Sequence, residues 1–212
     1  MSLRMSMKLP ERALKDKLRI CGLDEAGRGP LAGPVYAACV HIPEKSLELP
    51  FWKDVTDSKK LSAAKRNMLF QQIQQHSVFG IGLSTVEEID KINILQASLQ
   101  AMQRAYLKMI KNDASQQYYA LIDGNQKPKN MPCPLETIVK GDSKHLEIAA
   151  ASILAKVSRD IVMHKLHQEF PHYGWNTNSG YGSAKHLQAL KDFGATPHHR
   201  TSFSPVRSVL AA

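Results

Sequence analysis

The sequence predicts an α/β fold, with a mixed five-stranded sheet flanked by helices, and two observations lead to this prediction. Short apolar segments typical of strands alternate along the chain with longer segments of helical periodicity. The link between the first two strand candidates is too short for a parallel crossover, so we expect these strands to be antiparallel. With 212 residues, 43% of them hydrophobic, the chain can bury the core of one such domain.

Five short segments rich in apolar and β-branched residues are predicted to be the strands. They are residues 18–23, 34–42, 78–84, 118–122 and 135–139. The first is expected to lie at the centre of the sheet. The first, fourth and fifth each stop at or near an acidic residue that has a glycine close by.

Helices are predicted where helical periodicity follows a residue suited to the N-cap. The four main ones cover residues 62–75, 94–111, 145–170 and 183–193. Thr85 and Glu88 form a capping-box pattern that opens a further short helix before residue 94. Small side chains at residues 149–152 should let the long third helix approach the sheet closely.

The charge of the chain points to a polyanionic partner. There are 28 Lys and Arg against 19 Asp and Glu, a formal net charge of +9, which favours nucleic acid. A basic arm over residues 1–17 is predicted to precede a single catalytic domain over residues 18–212, which includes a C-terminal helical tail.

The cysteines and the apolar segments bear on the compartment. The chain contains three cysteines, Cys21, Cys39 and Cys133. Because their number is odd and their spacing is not that of metal ligands, we predict that they are reduced thiols. The first 17 residues contain no apolar signal segment, and no run is long enough to span a membrane. We expect a cytoplasmic protein that acts as a monomer, with no membrane partner.

Carboxylates follow three of the predicted strands: Asp24 with Glu25, then Asp123, then Asp142. Adjacent acids such as Asp24 and Glu25 are compatible with a solvated turn, where repulsion is screened, or with a divalent metal site. Side chains at the carboxyl ends of neighbouring strands meet at one edge of a sheet, so four acids gathered there would need cations. Mg²⁺ or Mn²⁺, as a pair, suits such oxygen ligands and phosphoryl transfer. A basic protein with this site is predicted to be a nuclease.

The motifs around these acids occur together in one known family. They are DEAGRGP at residues 24–30, DSKKL at 57–61, DG at 123–124, KGDSK at 140–144, AASILAKV at 150–157, GY at 180–181 and HHR at 198–200. On these motifs the chain resembles ribonuclease HII, the bacterial type 2 ribonuclease H, from about residue 18 to 206. Arg28, where the related ribonuclease HIII typically carries lysine, favours HII.

The resemblance implies a ribonuclease H-like fold and a metal-dependent endonuclease. Such an enzyme cleaves the RNA strand of RNA/DNA hybrids and incises 5′ to a single ribonucleotide in duplex DNA, leaving 3′-hydroxyl and 5′-phosphate ends. The resemblance also implies that two divalent ions, Mg²⁺ or Mn²⁺, are held by four catalytic carboxylates: Asp24, Glu25, Asp123 and Asp142.

Further residues are implied to bind the substrate. Gly27, Arg28 and Gly29 would contact the 2′-hydroxyl, and Tyr181 would stack on the sugar at the RNA-to-DNA junction. Ser179 stands where the family often carries lysine, so a positive charge is missing beside Tyr181.

Several assignments keep an alternative. Lys59 either contacts a phosphate or is a solvated residue before a helix. Asp160 is expected to be a structural acid and not a fifth metal ligand, and His198 and His199 to pack in the tail and not to act as a base. A nucleic-acid-binding module without catalysis, and a structure-selective DNA nuclease on the same fold, remain alternative functions. Four clustered carboxylates argue against the first, and the Gly-Arg-Gly turn argues against the second.

Overall fold

The computed structural model describes residues 10–211, and a five-stranded mixed sheet lies at its centre. The strands are β1 (Arg19–Ala26), β2 (Val35–His41), β3 (Val78–Ser84), β4 (Tyr118–Asp123) and β5 (Leu135–Ile138). Their order across the sheet is β3-β2-β1-β4-β5. β1 pairs antiparallel with β2 and parallel with β4, and β5 extends the parallel side. The predicted mixed sheet, antiparallel first pair and central first strand are confirmed.

Helices cover both faces of the sheet. In the described part of the chain they are α1 (Glu11–Lys15), α2 (Ala63–His76), α3 (Val86–Lys111), α4 (Leu146–Glu169), α5 (Trp175–Asn178), α6 (Ala184–Phe193) and α7 (Ser204–Leu210). α3 packs on β2 and β3 from one side, and α4 packs on β1 and β2 from the other. Within residues 10–211, none of these helices combines the length and the apolar character needed to cross a membrane.

The two faces of the sheet form two separate apolar clusters, as alternating side chains require. On one face, Cys21 and Leu23 of β1 lie in a cluster with Met102 of α3. On the other, Val40 of β2 lies in a cluster with Ile153 of α4. All five side chains are buried, so the central strands are covered on both sides.

Close packing of α4 on β1 depends on small residues, as predicted. Ala149, Ala150 and Ala151 are all buried against the sheet. On the strand, a Cβ added at Gly22 would lie 2.3 Å from the Glu147 carbonyl carbon. Backbone therefore meets backbone where α4 crosses β1, and no side chain fits at position 22.

α3 contains a break that the sequence predicts. The Thr85 hydroxyl accepts a hydrogen bond from the Glu88 N–H, and the Glu88 carboxylate accepts one from the Thr85 N–H, which completes the capping box. At Asn93, φ is 65° and ψ is 162°, so the helical backbone is interrupted there. The short helix before residue 94 and the longer helix after it are both confirmed.

The first strand extends further than predicted. We expected β1 to stop at residue 23, but Asp24, Glu25 and Ala26 continue its ladder with β2. Asp24 pairs with the buried residue Ala38 of β2. This pairing is possible because strands pair through backbone groups, so polar side chains are tolerated near the carboxyl end of a strand. The two acids therefore stand on the strand itself and not on a turn that follows it.

The ends of the chain also carry helices. Residues 1–9 of the predicted basic arm lie outside the described residues, but its later part forms α1, and Ala13 of this helix is buried. α5 was not predicted, whereas α7 forms the expected helical tail. Val206 of α7 is buried in a cluster with Leu190 of α6.

Candidate active site

A cavity of about 510 Å³ opens at the carboxyl ends of β1 and β4. The four predicted metal-binding carboxylates line it, and so do residues 27–29, Lys59 and Tyr181. The fold thus brings together every residue that the sequence analysis selected for the site. Their roles remain predictions, because the cavity shows proximity and not function.

Strand register places two of the carboxylates side by side. β1 and β4 run parallel with Leu23 opposite Ile122, and Asp24 and Asp123 are the next residues on the two strands. Asp142 follows β5 in a single 3-10 turn, Gly141–Ser143, after Lys140 has adopted a left-handed conformation. The apolar parts of three neighbouring strands therefore deliver acids to one edge, as predicted.

Backbone donors orient two of these carboxylates. The Glu25 N–H donates to Asp24 Oδ1 at 2.7 Å, and the Gly141 N–H donates to Asp123 Oδ1 at 2.6 Å. The Oδ2 atoms of Asp24 and Asp123 accept no hydrogen bond from residues in the described range. Each side chain is fixed through one oxygen while the second stays available.

The acids perturb one another. Burial raises the pKa of Asp24 well above its usual range, and repulsion by Glu25 and Asp123 raises it further. Burial raises the pKa of Glu25, although Arg28 opposes the shift. Burial also raises the pKa of Asp142, with added repulsion from nearby carboxylates. The charged forms of all three are disfavoured in the absence of a cation.

The donor set suits a divalent cation. Four carboxylates supply hard oxygen ligands, and their mutual repulsion is the condition that a bound cation would relieve. As placed here, no group of three or more His, Cys, Asp or Glu side chains within residues 10–211 is close enough to hold a metal ion. The chemistry of the residues fits such an ion, while their side chains are not gathered around one point.

Tyr181 faces the Gly-Arg-Gly turn across the cavity. A Cβ added at Gly29 would lie 3.1 Å from Cε1 of the Tyr181 ring, so glycine lets the ring approach the turn. The Tyr181 side chain is 50% exposed, and a buried aromatic anchor would not be. The Arg28 guanidinium lies 3.4 Å from Glu25 Oε1 and joins the turn to the acids.

Comparisons with known proteins identify the family of the chain. A family model described as Ribonuclease HII matches residues 21–206. The ribonuclease HII of Magnetococcus marinus is 50% identical over 199 residues, which cover 94% of this chain and 89% of that protein. The chain belongs to the ribonuclease HII family. As a member of this family it is a nuclease with ribonuclease H activity on RNA/DNA.

Solved structures extend the comparison to the fold. The ribonuclease H2 of Pyrococcus horikoshii superposes with a TM-score of 0.69 at 28% identity, covering 91% of this chain and 97% of that one. Bst-RNase HIII in complex with Mn²⁺ superposes with a TM-score of 0.74 at 17% identity, covering 92% and 70%. The ribonuclease H-like fold predicted for this chain is confirmed.

The cavity also contains residues to which the sequence analysis gave no role. Asp57, Ser58, Lys156 and Arg159 line it. The first two lie in the DSKKL motif beside Lys59, and Lys156 lies in AASILAKV, so the motifs were the available signal. Lys156 and Lys59 therefore bring two ammonium groups into the same cavity as the four carboxylates.

Arg159, which lines the cavity, connects two separate backbone segments through its guanidinium. Its guanidinium is 1% exposed and donates to the carbonyls of Pro34 at 3.0 Å, Ser179 at 2.8 Å and Ala32 at 3.0 Å. A Cβ at Gly27, where φ is 103°, would lie 2.1 Å from Arg159 Nε. Only glycine fits at position 27, both for its backbone conformation and for its contact with Arg159.

The residues with open alternatives have definite positions. Asp160 accepts a hydrogen bond from Lys156 Nζ at 2.7 Å and another from the Ser179 hydroxyl at 3.3 Å, which suits the structural role expected for it. His198 and His199 do not line the cavity. His199 is 1% exposed and packs beside Trp175, away from the acids.

Proposed function

We propose that the ribonuclease H activity of this chain includes incision on the 5′ side of a single ribonucleotide in duplex DNA, leaving 3′-hydroxyl and 5′-phosphate ends. The observation that supports this is the presence of two elements in one cavity. One is the carboxylate group around Asp24, and the other is the pairing of residues 27–29 with the half-exposed Tyr181. The first suits phosphodiester hydrolysis, and the second suits a ribose and the sugar that follows it.

Asp24, Glu25, Asp123 and Asp142 would hold the divalent ions, Mg²⁺ or Mn²⁺, two of them during the reaction. Bst-RNase HIII, which shares the fold, has been solved with Mn²⁺. Such ions, when bound, supply activation of water and stabilisation of the leaving oxygen. The protein contributes orientation, because backbone N–H groups fix the Asp24 and Asp123 carboxylates.

Discrimination between RNA and DNA is assigned to residues 27–29. A 2′-hydroxyl both donates and accepts, and a site that pairs with it penalises deoxyribose by leaving polar groups unpaired. Tyr181 would stack on the deoxyribose after the junction. Its ring lies within contact distance of Gly29, so one dinucleotide can touch both.

The positive groups of the cavity would contact the phosphates. Lys59 and Lys156 line it with Arg28, whose side chain is half exposed. Lys156 is held by Asp160, which fixes its ammonium on the cavity wall.

We further propose that the chain acts as a monomer in the cytoplasm. Sedimentation at working concentrations would test the oligomeric state.

The test compares a duplex that carries one ribonucleotide with its all-DNA twin in Mg²⁺ and in Mn²⁺. We expect a single cut 5′ to the ribonucleotide and none in the twin. Asp24→Asn serves as the inactive control. Cleavage of both duplexes would instead indicate a DNA nuclease, and binding without cleavage would indicate a module that lacks catalysis.

A further inference from the structure

A second buried arginine, Arg200, donates hydrogen bonds to the backbone of the Gly-Arg-Gly turn. Arg200 is 0% exposed, and its guanidinium donates to the carbonyls of Gly27 at 2.6 Å and Arg28 at 3.0 Å. It also donates to the Gly33 carbonyl through two nitrogens, at 2.9 and 2.8 Å. One side chain thus fixes both ends of the loop from 27 to 33. Arg200 does not line the cavity, so it acts behind the turn and not on the substrate.

This guanidinium is satisfied by carbonyl groups. Within residues 10–211, no carboxylate lies within ion-pair distance of Arg200 or Arg159. Burial of an unpaired charge is costly unless hydrogen bonds replace its hydration, and here the carbonyls of the loop do so. The loop conformation and the buried charge therefore depend on each other: a loop that turned its carbonyls outward would leave Arg200 unsatisfied.

The geometry of the peptide unit determines where the N–H groups of the Gly-Arg-Gly turn point. No cis peptide occurs in the described chain, so each carbonyl points opposite to the N–H of the next residue. With the Gly27 and Arg28 carbonyls directed at Arg200, the N–H groups of Arg28 and Gly29 point away from it. Neither N–H donates to another residue of the described range, and both residues are exposed.

We propose that Arg200 is a positioning residue for sugar discrimination: by holding the carbonyls of Gly27 and Arg28 inward, it presents two neighbouring N–H donors to the ribose hydroxyl. This rests on the proposed function, in which residues 27–29 contact the 2′-hydroxyl. Lysine cannot replace Arg200, because one ammonium group cannot bond three carbonyls in the fork geometry of a guanidinium.

The test measures selectivity and not activity alone. For each variant, KM is measured on a duplex with one ribonucleotide, and the inhibition constant Ki is measured for its all-DNA twin as a competitor. We expect the ratio of Ki to KM to fall about tenfold in Arg200→Lys, since a site built around a hydroxyl loses that preference when its donors move. Ile73→Ala, a buried change in α2 within an apolar cluster that contains none of residues 27–33, controls for lost stability and should keep the wild-type ratio.

The outcomes separate the two hypotheses. A wild-type ratio near one overturns both the proposed hydroxyl contact and the role of Arg200. A high wild-type ratio that is unchanged in Arg200→Lys overturns the role of Arg200 alone. A second measurement needs no variant: hydrogen exchange at the Arg28 and Gly29 amides of the wild-type chain should slow with the ribonucleotide duplex and not with its twin. Equal protection by both duplexes would also overturn the inference.

Discussion

The backbone of Gly22 lies directly against the backbone of Glu147: a Cβ at position 22 would stand 2.3 Å from the Glu147 carbonyl carbon and 2.3 Å from the next nitrogen. Gly22 is two residues before Asp24 on the central strand, and Glu147 is in the first turn of α4. Asp142 lies shortly before that helix. This contact therefore sets the distance between two segments that carry carboxylates.

Gly22→Ala should destabilise the fold by about 3 kcal/mol or more, because the added methyl group meets backbone that cannot rotate away. Denaturant unfolding in chelator measures the loss. Gly174→Ala is the matched control, since the backbone there is left-handed (φ 67°, ψ 30°) but a Cβ would have no neighbour closer than 3.4 Å, and it should cost only about 1–2 kcal/mol. Equal losses at both positions would refute the packing argument.

Asp24→Asn should lower cleavage by about 100-fold or more while the fold survives, because the amide keeps the hydrogen bond from the Glu25 N–H but loses the charge. Thermal stability in chelator should rise, since burial and neighbouring acids disfavour the charged form of Asp24, as its raised pKa indicates. Asp54→Asn, at an exposed acid paired with Lys65, should leave cleavage unchanged. Near-wild-type turnover by Asp24→Asn would remove Asp24 from the metal site.

Lys59→Ala should make binding less sensitive to salt. If Lys59 neutralises a phosphate, the slope of log affinity against log salt should flatten by about one unit or less. Lys53→Ala, at an exposed residue that does not line the cavity, is the control and should leave the slope unchanged. An unchanged slope in Lys59→Ala as well would show that Lys59 is a solvated residue that contacts no phosphate.

Substitutions of Tyr181 should separate stacking from other roles. Tyr181→Phe keeps the ring and should retain most cleavage at a lone ribonucleotide, whereas Tyr181→Ala should lose about 1–3 kcal/mol of transition-state stabilisation. Uniform RNA/DNA hybrids, which lack an RNA-to-DNA junction, should suffer less from the alanine. The readout is kcat/KM on both substrates. Equal losses on the two would show that Tyr181 supports the loop and does not contact the junction.

Acid should destabilise the chain through His199. Its Nδ1 accepts from the Thr196 N–H at 3.0 Å, so its proton lies on Nε2, 3.0 Å from His186 Nε2. Burial and the neighbouring His186 lower the pKa of His199 to about 4. The unfolded chain binds this proton near pH 6.5, so the contribution of His199 to stability is complete above that pH and is lost as the pH falls toward 4.

In His199→Gln, the loss of unfolding free energy between pH 6.5 and 4 should be smaller than in the wild type by about 1–3 kcal/mol. The variant should also be less stable than the wild type at pH 7. Urea unfolding across that range measures the effect. His164→Gln, at an exposed residue of α4, should reproduce the wild-type profile. A wild-type pH dependence in His199→Gln would place the acid sensitivity elsewhere.

The sequence predicted the elements whose signals are local. The capping box at Thr85 and the apolar stripe that starts at residue 94 belong to neighbouring residues, and together they predicted a break that the structure places at Asn93. The acids at strand ends were predictable for the same reason, since each acid lies within three residues of the apolar run before it.

What the sequence did not predict depends on distant partners. Pairing with β2 carries β1 on through Ala26, although polar residues at its end suggested a turn. Arg200 belongs to a matched motif and Arg159 follows one closely, but the residue type of both suggests exposure. Carbonyls of a loop more than a hundred positions earlier accept hydrogen bonds from both and help to make their burial possible. Such contacts leave no local pattern.

The grip of Arg200 on Gly27 joins residues 173 positions apart. During synthesis from the N-terminus, all four carboxylates leave the ribosome before Arg200 does. A nascent chain whose Arg200 has not yet emerged therefore has its four acids outside the ribosome while the Gly27 carbonyl still lacks the anchor that Arg200 provides. In this chain the order of translation delivers the four carboxylates first and the anchor of the Gly-Arg-Gly turn last.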